Sequence, residues 1–293
     1  MQSGILLLDK PLGLTSNAAL SRVKRILGIR KAGHTGALDP LATGLLPLCF
    51  GQATKVSAFL LDADKEYLAE VRLGETTASG DAEGEVLERR EVAALTRADA
   101  EDVLERFRGP IEQVPPMYSA LKHKGRRLHE LARAGIEVER KPRPVTIYRL
   151  DLLELDPPLI SLRVRCSKGT YIRSLATDIG EALGCGAHLS ALRRTASGPF
   201  SLEDAVTLEA LEEMDVDRAR GLLLPSDAAL PQLPAVELDD VAAVDIGHGK
   251  PVATGHPAAE LVRIYAAGGF LGLGQVDEKG LLQVRRLFVP EGG

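Results

Sequence analysis

The sequence predicts a mixed α+β domain of about 230 residues followed by a small β-rich module, both within ordinary domain sizes. Three observations predict it. Segments with two-residue apolar alternation stand between segments with apolar residues at helical spacing. Residues 225–236, with Pro225, Pro231 and Pro234 among small residues, read as a linker. Beyond them, short apolar runs are separated by Gly247, Gly249, Gly255, Gly268, Gly269, Gly272 and Gly274, the pattern of a small β-barrel.

Taken in order, Ile5 to Leu8 is a short apolar run read as a buried strand, and Lys10-Pro11-Leu12-Gly13 as a turn. Ser16 is expected to cap a helix in which Ala19, Leu20, Val23, Ile26 and Leu27 share a face, with Gly28 at its stop. Residues 54–61 read as helical. Residues 65–73 alternate, with Tyr67, Ala69, Val71 and Leu73 on one face, and predict a half-buried strand. Residues 76–91 read as a loop with a short hairpin, and 99–107 as an amphipathic helix closed by Gly109-Pro110.

Residues 113–143 are crowded with Lys122, Lys124, Arg126, Arg127, Arg133, Arg140, Lys141 and Arg143, and are broken by Gly125 and Gly135. This reads as a basic arm with a short helix at 128–134, suited to a phosphate backbone. Strands are expected at 146–155, 160–166 and 189–195. Between the last two, Ser167-Lys168-Gly169-Thr170 turns into a helix with Ile172, Leu175, Ala176, Ile179 and Leu183 inward. Arg173 lies beside that apolar stripe near the helix start, a place where an Arg usually has a carboxylate partner.

Composition narrows the partners. The net charge is −5, but residues 1–60 carry 7 Lys/Arg against 2 Asp/Glu, and residues 121–200 carry 15 against 8. The remaining blocks are acidic. If the two basic blocks share a face, that face attracts a polyanion despite the total. Three widely spaced cysteines, Cys49, Cys166 and Cys185, give no disulfide framework and fit a reduced cytoplasmic protein. The lone Cys185-x-x-His188 has no second ligand pair, so no metal is expected. The N-terminus does not read as a signal peptide, and nothing approaches a membrane-spanning length.

One stretch concentrates the chemistry: Gly33-His34-Thr35-Gly36-Ala37-Leu38-Asp39-Pro40-Leu41-Ala42-Thr43-Gly44. Its three glycines permit sharp turns or close approach of a ligand, and Pro40 restricts Asp39. By itself it reads equally as a turn capped by its own Asp.

That stretch resembles the catalytic signature of the pseudouridine synthases, closest to the TruB-like branch. Leu8-Asp9-Lys10-Pro11 resembles the family's Lys-Pro motif, Lys65-Glu66-Tyr67 its Tyr-bearing strand, and Pro115-Pro116-Met117-Tyr118-Ser119-Ala120-Leu121-Lys122 its insertion. Ser167-Lys168-Gly169-Thr170-Tyr171-Ile172-Arg173 and Leu192-Arg193-Arg194 resemble its later motifs, and the tail resembles a PUA domain, a small RNA-binding barrel. Six collinear matches span nearly the whole chain.

The resemblance implies a mixed or antiparallel-sheet catalytic domain over 1–230, with an RNA-binding insertion at about 113–145, and a PUA-like domain over 231–293. It implies conversion of uridine 55 in the T stem-loop of tRNA to pseudouridine, without cofactor or metal, by a cytoplasmic monomer that needs no protein partner. Asp39 is then the nucleophile or base at the glycosidic bond. Arg173 is the cation expected to pair with it and oppose the desolvation of its charge. Tyr67 is expected to stack on the flipped uracil and take part in catalysis. Tyr171 and Leu192 match pocket positions, and His34 a residue that contacts the T-loop. Lys10 is expected to hold the loop or touch phosphate, and Lys122 to bind RNA from the arm. His129 stands where the family has Tyr, and the acidic tail is unlike a strong RNA clamp. The competing readings are a non-catalytic RNA-binding or tRNA-folding protein and the guide-dependent branch of the superfamily. A glycoside hydrolase would need a second acid opposite Asp39, and no residue stands out for that role.

Overall fold

The first strand, β1 (Gly4–Lys10), is nearly all buried and runs out of apolar residues at Asp9. The computed structural model describes residues 2–119, 121–267 and 269–288; the side chain of His129 lies outside that set. Helix α1 (Ser16–Leu27) follows, capped by Thr15, whose hydroxyl accepts from the Ala18 amide. The cap therefore falls one residue before Ser16. Thr15 is the last extended residue, with φ −69° and ψ 154°, and Ser16 is turned inward and buried. Its Oγ accepts from the Leu38 amide at 2.7 Å and donates to the Leu38 carbonyl at 3.1 Å.

The chain continues through β2 (Ala32–His34), β3 (Ala42–Phe50) and β4 (Lys65–Leu73). A hairpin, Glu75–Thr77 against Val86–Arg89, and a helix, Arg97–Glu105, come next. After β5 (Gly109–Gln113) the basic arm carries a two-residue strand pair, Lys122–His123 with Arg126–Arg127, and the helix Leu128–Arg133. The arm re-enters the sheet as β6 (Arg143–Asp156) and β7 (Leu159–Cys166). Helix α2 (Ile172–Ala182) and β8 (Ala187–Ser197) complete the framework.

Among the described residues these strands form a ten-stranded sheet in the order Val206–Thr207, β1, β3, β8, β4, β7, β6, β5. Beside this path, β2 pairs with β3 and Phe200–Ser201 with β8. The β3–β8 pair is parallel, whereas β8–β4, β4–β7, β7–β6 and β6–β5 are antiparallel, so the sheet is mixed as expected. One face carries two cores side by side. Helix α1 covers Leu6, Leu8, Leu46 and Leu48; helix α2 covers Ala69, Val71, Leu162 and Val164. Tyr67 and Leu192 pack against both, at the seam. Two-residue alternation puts Ile5, Leu7, Leu45 and Cys49 on the opposite face.

The tail is a curled five-stranded sheet. It consists of β9 (Ala235–Leu238), β10 (Val252–Ala253), β11 (Ala259–Ala266), β12 (Gly269–Val276) and β13 (Leu281–Leu287), in the order β9-β11-β12-β13-β10. It has its own core of Val236, Ile246, Val262, Ile264, Val276 and Leu282. Helix α3 (Asp240–Gly247) was not expected from the glycine turns; Asp239 caps it by accepting from the Ala242 amide. The stretch read as a linker is also not free. Ala229 and Leu230 are buried in the back core with Leu45, Cys49, Phe200, Leu273 and Phe288. Proline spacing marks where regular structure breaks, but Leu230 between two prolines supplies the apolar anchor. Among the described residues no helix is long and apolar enough to cross a membrane.

Candidate active site

The Asp39 loop is fixed from both sides. Ser16 holds Leu38, the Ala42 amide donates to the Asp39 carbonyl at 3.0 Å, and the Gly13 amide donates to the Pro40 carbonyl at 2.8 Å. Lys10 is fully buried and its Nζ donates to the carbonyls of Pro11 (2.9 Å) and Leu14 (2.6 Å), shaping the turn that meets Pro40. It therefore holds the loop and is not available to phosphate. Burial lowers its pKa to about 8, partly opposed by the nearby Asp39 charge. Gly44 has φ +97°, and a Cβ there would fall 2.3 Å from the Arg194 carbonyl oxygen. That glycine serves the contact of β3 with β8, not a ligand. Gly36, at φ +119°, takes a conformation that side chains rarely adopt, and its carbonyl accepts from Arg194 Nη2 at 3.1 Å.

Arg173 is only 7 % exposed and is held by groups from three loops. Its Nη2 lies 3.1 Å from Asp39 Oδ2 and donates to the Tyr118 carbonyl at 2.7 Å. Its Nη1 lies 3.5 Å from Asp81 Oδ2 and donates to the Ser79 carbonyl at 3.1 Å. The expected Asp39–Arg173 pair is thus present, and the structure adds Asp81, a second carboxylate that sequence reading did not single out. Asp81 is buried, accepts from Ser79 Oγ and accepts from the Glu83 amide at 3.1 Å. No spacing rule points to it, because the hairpin tip meets Arg173 across 92 residues of sequence.

About half of the Asp39 side chain, 49 %, stays open to solvent, so it stands at the mouth of the seam. Its pKa is nevertheless raised above the ordinary value. Desolvation is the largest cause; Arg173 opposes it, Asp81 adds to it, and Lys10 opposes it. One guanidinium shared by two carboxylates does not cancel the desolvation. Glu83 is raised as well, by desolvation and then by the charges of Asp81 and Asp39.

The floor comes from sheet register. Leu192 lies between Ala42 and Ala69, and Arg194 lies between Gly44 and Tyr67, all on the seam face. Arg194 is 1 % exposed, donates from Nε to the Leu45 carbonyl at 2.6 Å, and its charge opposes the rise that burial gives the Tyr67 pKa. Sequence reading placed it in a matching motif but gave it no role. Tyr171 sits at the start of α2, its amide and carbonyl both bonded to the buried Gln113 side chain, at 3.0 and 3.1 Å. His34 lies on β2 opposite Leu48. Its Nδ1 is buried without a hydrogen-bond partner among the described residues, and burial and Arg194 lower its pKa. Lys122 is exposed on the two-residue strand pair of the arm. Among the described residues no group of three or more His, Cys, Asp and Glu side chains is placed to hold a metal ion.

Tyr67 and Leu192 at the seam of two cores and a half-exposed aspartate paired with a buried arginine make the candidate site. Comparison with known proteins identifies the family. The family model for the TruB family pseudouridylate synthase N-terminal domain matches residues 24–172. Models for the tRNA pseudouridylate synthase B C-terminal domain and the pseudouridine synthase II TruB C-terminal region match residues 173–231 and 234–288. The tRNA pseudouridine synthase B of Pseudomonas putida (strain GB-1) is 55 % identical over 295 residues, covering 99 % of this chain and 96 % of that one. That of Dechloromonas aromatica (strain RCB) is 55 % identical over 284 residues, covering 97 % and 95 %. A chain in the crystal structure of a Cbf5-Nop10-Gar1 complex superposes with TM-score 0.74 at 31 % identity, covering 99 % of this chain and 86 % of that one. Fold and site together define a pseudouridylate synthase, with a PUA-like tail. The chain belongs to the TruB family of these enzymes.

Proposed function

We propose that this enzyme isomerises uridine to pseudouridine at position 55 in the T-loop of tRNA, with Asp39 as the catalytic carboxylate. The relatives that carry the name tRNA pseudouridine synthase B support tRNA as the substrate. The reaction breaks the bond from ribose C1′ to uracil N1, turns the base, and joins C1′ to C5. C5 then loses its hydrogen and N1 gains one, so the step is redox-neutral and balances without a cofactor.

The single observation that carries the reading is Asp39, half open to solvent, held against a buried Arg173 at the edge of the Tyr67–Leu192 seam. A uridine must leave its stack to reach that seam. Tyr67 then offers a face for the uracil, Leu192 and Tyr171 bound the pocket, and His34 contacts the T-loop nearby. Arg173 keeps the carboxylate ionised and aimed, while Asp39 acts at the glycosidic bond. The arm with Lys122 grips the RNA backbone. The enzyme is read as a cytoplasmic monomer acting alone.

The likeness to a chain solved with Nop10 and Gar1 gives a partner-dependent mode as the second reading. The closer identity to the tRNA pseudouridine synthase B relatives, 55 % against 31 %, favours the stand-alone mode. The test is incubation of the purified chain alone with unmodified tRNA, followed by chemical mapping of pseudouridine. A stop at position 55 is expected, and its loss when that uridine is replaced by cytidine. Modification elsewhere, or only with added proteins, contradicts the proposal.

A further inference from the structure

Apart from the active site, the fold gathers three cations at the junction of catalytic domain and tail. Lys31 precedes β2, and its carbonyl accepts from the Gly51 amide at 2.8 Å, tying it to the turn Gly51–Lys55 that ends β3. Lys55, in that turn, donates from Nζ to the Leu287 carbonyl of the tail at 2.6 Å. Arg286 returns the contact, donating from Nη1 to the Lys55 carbonyl at 2.7 Å. Phe288 packs under Lys55, with the ammonium 5.2 Å from the ring centre. Two backbone bonds in opposite directions therefore fix Arg286 of the tail beside Lys55 of the catalytic domain.

Among the described residues none of the three is in an ion pair, and Lys31 and Arg286 are exposed. Elsewhere on this surface exposed arginines do find acids, as Arg22 finds Glu212 and Arg89 finds Glu75. The pKa of Lys55 is lowered, first by desolvation and then by the charges of Lys31 and Arg286, and no anion enters that balance. Like charges held together without a counter-charge lose free energy that an arriving anion restores. The tail is acidic in total, yet the part that meets the catalytic domain presents arginine.

We propose that Lys31, Lys55 and Arg286 form a composite phosphate-binding site that takes the RNA backbone at the junction of the two domains. The inference rests on the RNA-substrate reading above. It adds where the RNA is held beyond the reacting nucleotide. The nine residues of β3 separate this site from the Asp39 loop, a rise of about 3.3 Å each, or roughly 25–30 Å. An RNA that fills both sites must extend well past the flipped uridine. The site exists only while the domains are docked, because one cation comes from the tail.

The test compares wild type with Lys31→Gln/Arg286→Gln, which keeps Lys55 and its bond to the tail, in the full chain. Binding of unmodified full-length tRNA and of a short T stem-loop fragment is measured across a salt series. For full-length tRNA, the slope of log affinity against log salt is expected to fall by about 1.4 to 1.8, two phosphate contacts at ~0.7–0.9 each. Affinity for the fragment and turnover of the fragment are expected to stay unchanged. Lys31→Arg/Arg286→Lys should restore the slope. An unchanged slope on full-length tRNA, or an equal loss on the fragment, overturns the site. Failure of wild type to convert the fragment at all would instead count against the functional reading.

Discussion

Arg173 stands 3.1 Å from Asp39 through one guanidinium nitrogen while its other nitrogen reaches Asp81 at 3.5 Å. One buried cation thus serves two carboxylates, and its planar fork is what lets it do so. Arg173→Lys keeps a charge but cannot hold both. Turnover is expected to fall ~100-fold or more, the scale for losing one preorganised donor, with tRNA affinity nearly unchanged. Single-turnover rates and filter binding check this; equal losses in both would make Arg173 a binding or folding residue.

The same geometry sets a pH dependence. If Asp39 is the catalytic carboxylate as proposed, its raised pKa means that activity should fall as pH drops through a value above that of an ordinary aspartate. Arg173 is the largest influence pulling that pKa down, so Arg173→Lys should move the acid limb of kcat/KM to higher pH. The linkage sign is the reverse of the common aspartate case. A raised pKa means that the folded state binds the proton more tightly than the unfolded chain does, so charged Asp39 destabilises the fold above its folded pKa. The penalty vanishes below the unfolded value. Asp39→Asn is therefore expected to raise the melting temperature at neutral pH and not at pH 3; a uniform shift at both would remove the argument.

Lys10 gives a second, independent signature. Its pKa of about 8 lies below that of a free lysine, so between about 8 and 10.5 the unfolded chain binds the extra proton. Stability should rise with pH across that window, and Lys10→Met should flatten the rise. Urea denaturation at pH 7.5 and pH 10 reads the difference.

Tyr67 packs against both cores and lies beside Arg194 in the paired strands. Tyr67→Ala is expected to destabilise by about 2 kcal/mol, less than a fully buried aromatic, and to impair turnover more than RNA binding. Tyr67→Phe keeps the ring and should retain RNA affinity. If the Phe variant binds as poorly as the Ala variant, the hydroxyl and not the face is what the RNA needs.

The glycines of the Asp39 loop are not equivalent. Gly44→Ala puts a Cβ 2.3 Å from the Arg194 carbonyl at φ +97°, and is expected to lower stability by ~2 kcal/mol or more, with activity. Gly33→Ala meets open space and is expected to change stability by less than ~1 kcal/mol. Thermal melts of the pair decide it.

The legible parts of this protein were those with local pattern. Two-residue alternation marked β4 with Tyr67, helical spacing marked α1 and α2, and a collinear set of motifs marked Asp39 and Arg173. What sequence reading missed depends on contacts between distant segments. Asp81 reaches Arg173 from a hairpin tip, the burial of Arg194 comes from strand pairing although its motif was legible, and Ser16 serves Leu38 instead of its own helix. Side chains at a helix start can cap or point inward with similar composition, so Thr15 and Ser16 could not be told apart from spacing. Leu230 was hidden for the same reason: proline spacing reports chain direction, whereas burial depends on the face of the sheet that the chain meets.

Asp39 is proposed to perform uridine isomerisation. The most direct measurement is tritium release from tRNA labelled at uridine C5, for wild type and Asp39→Asn, because that hydrogen leaves when C5 joins C1′. Release by wild type and none by an Asp39→Asn protein that still binds tRNA is the expected result. Release by both, or by neither with binding intact, contradicts the account.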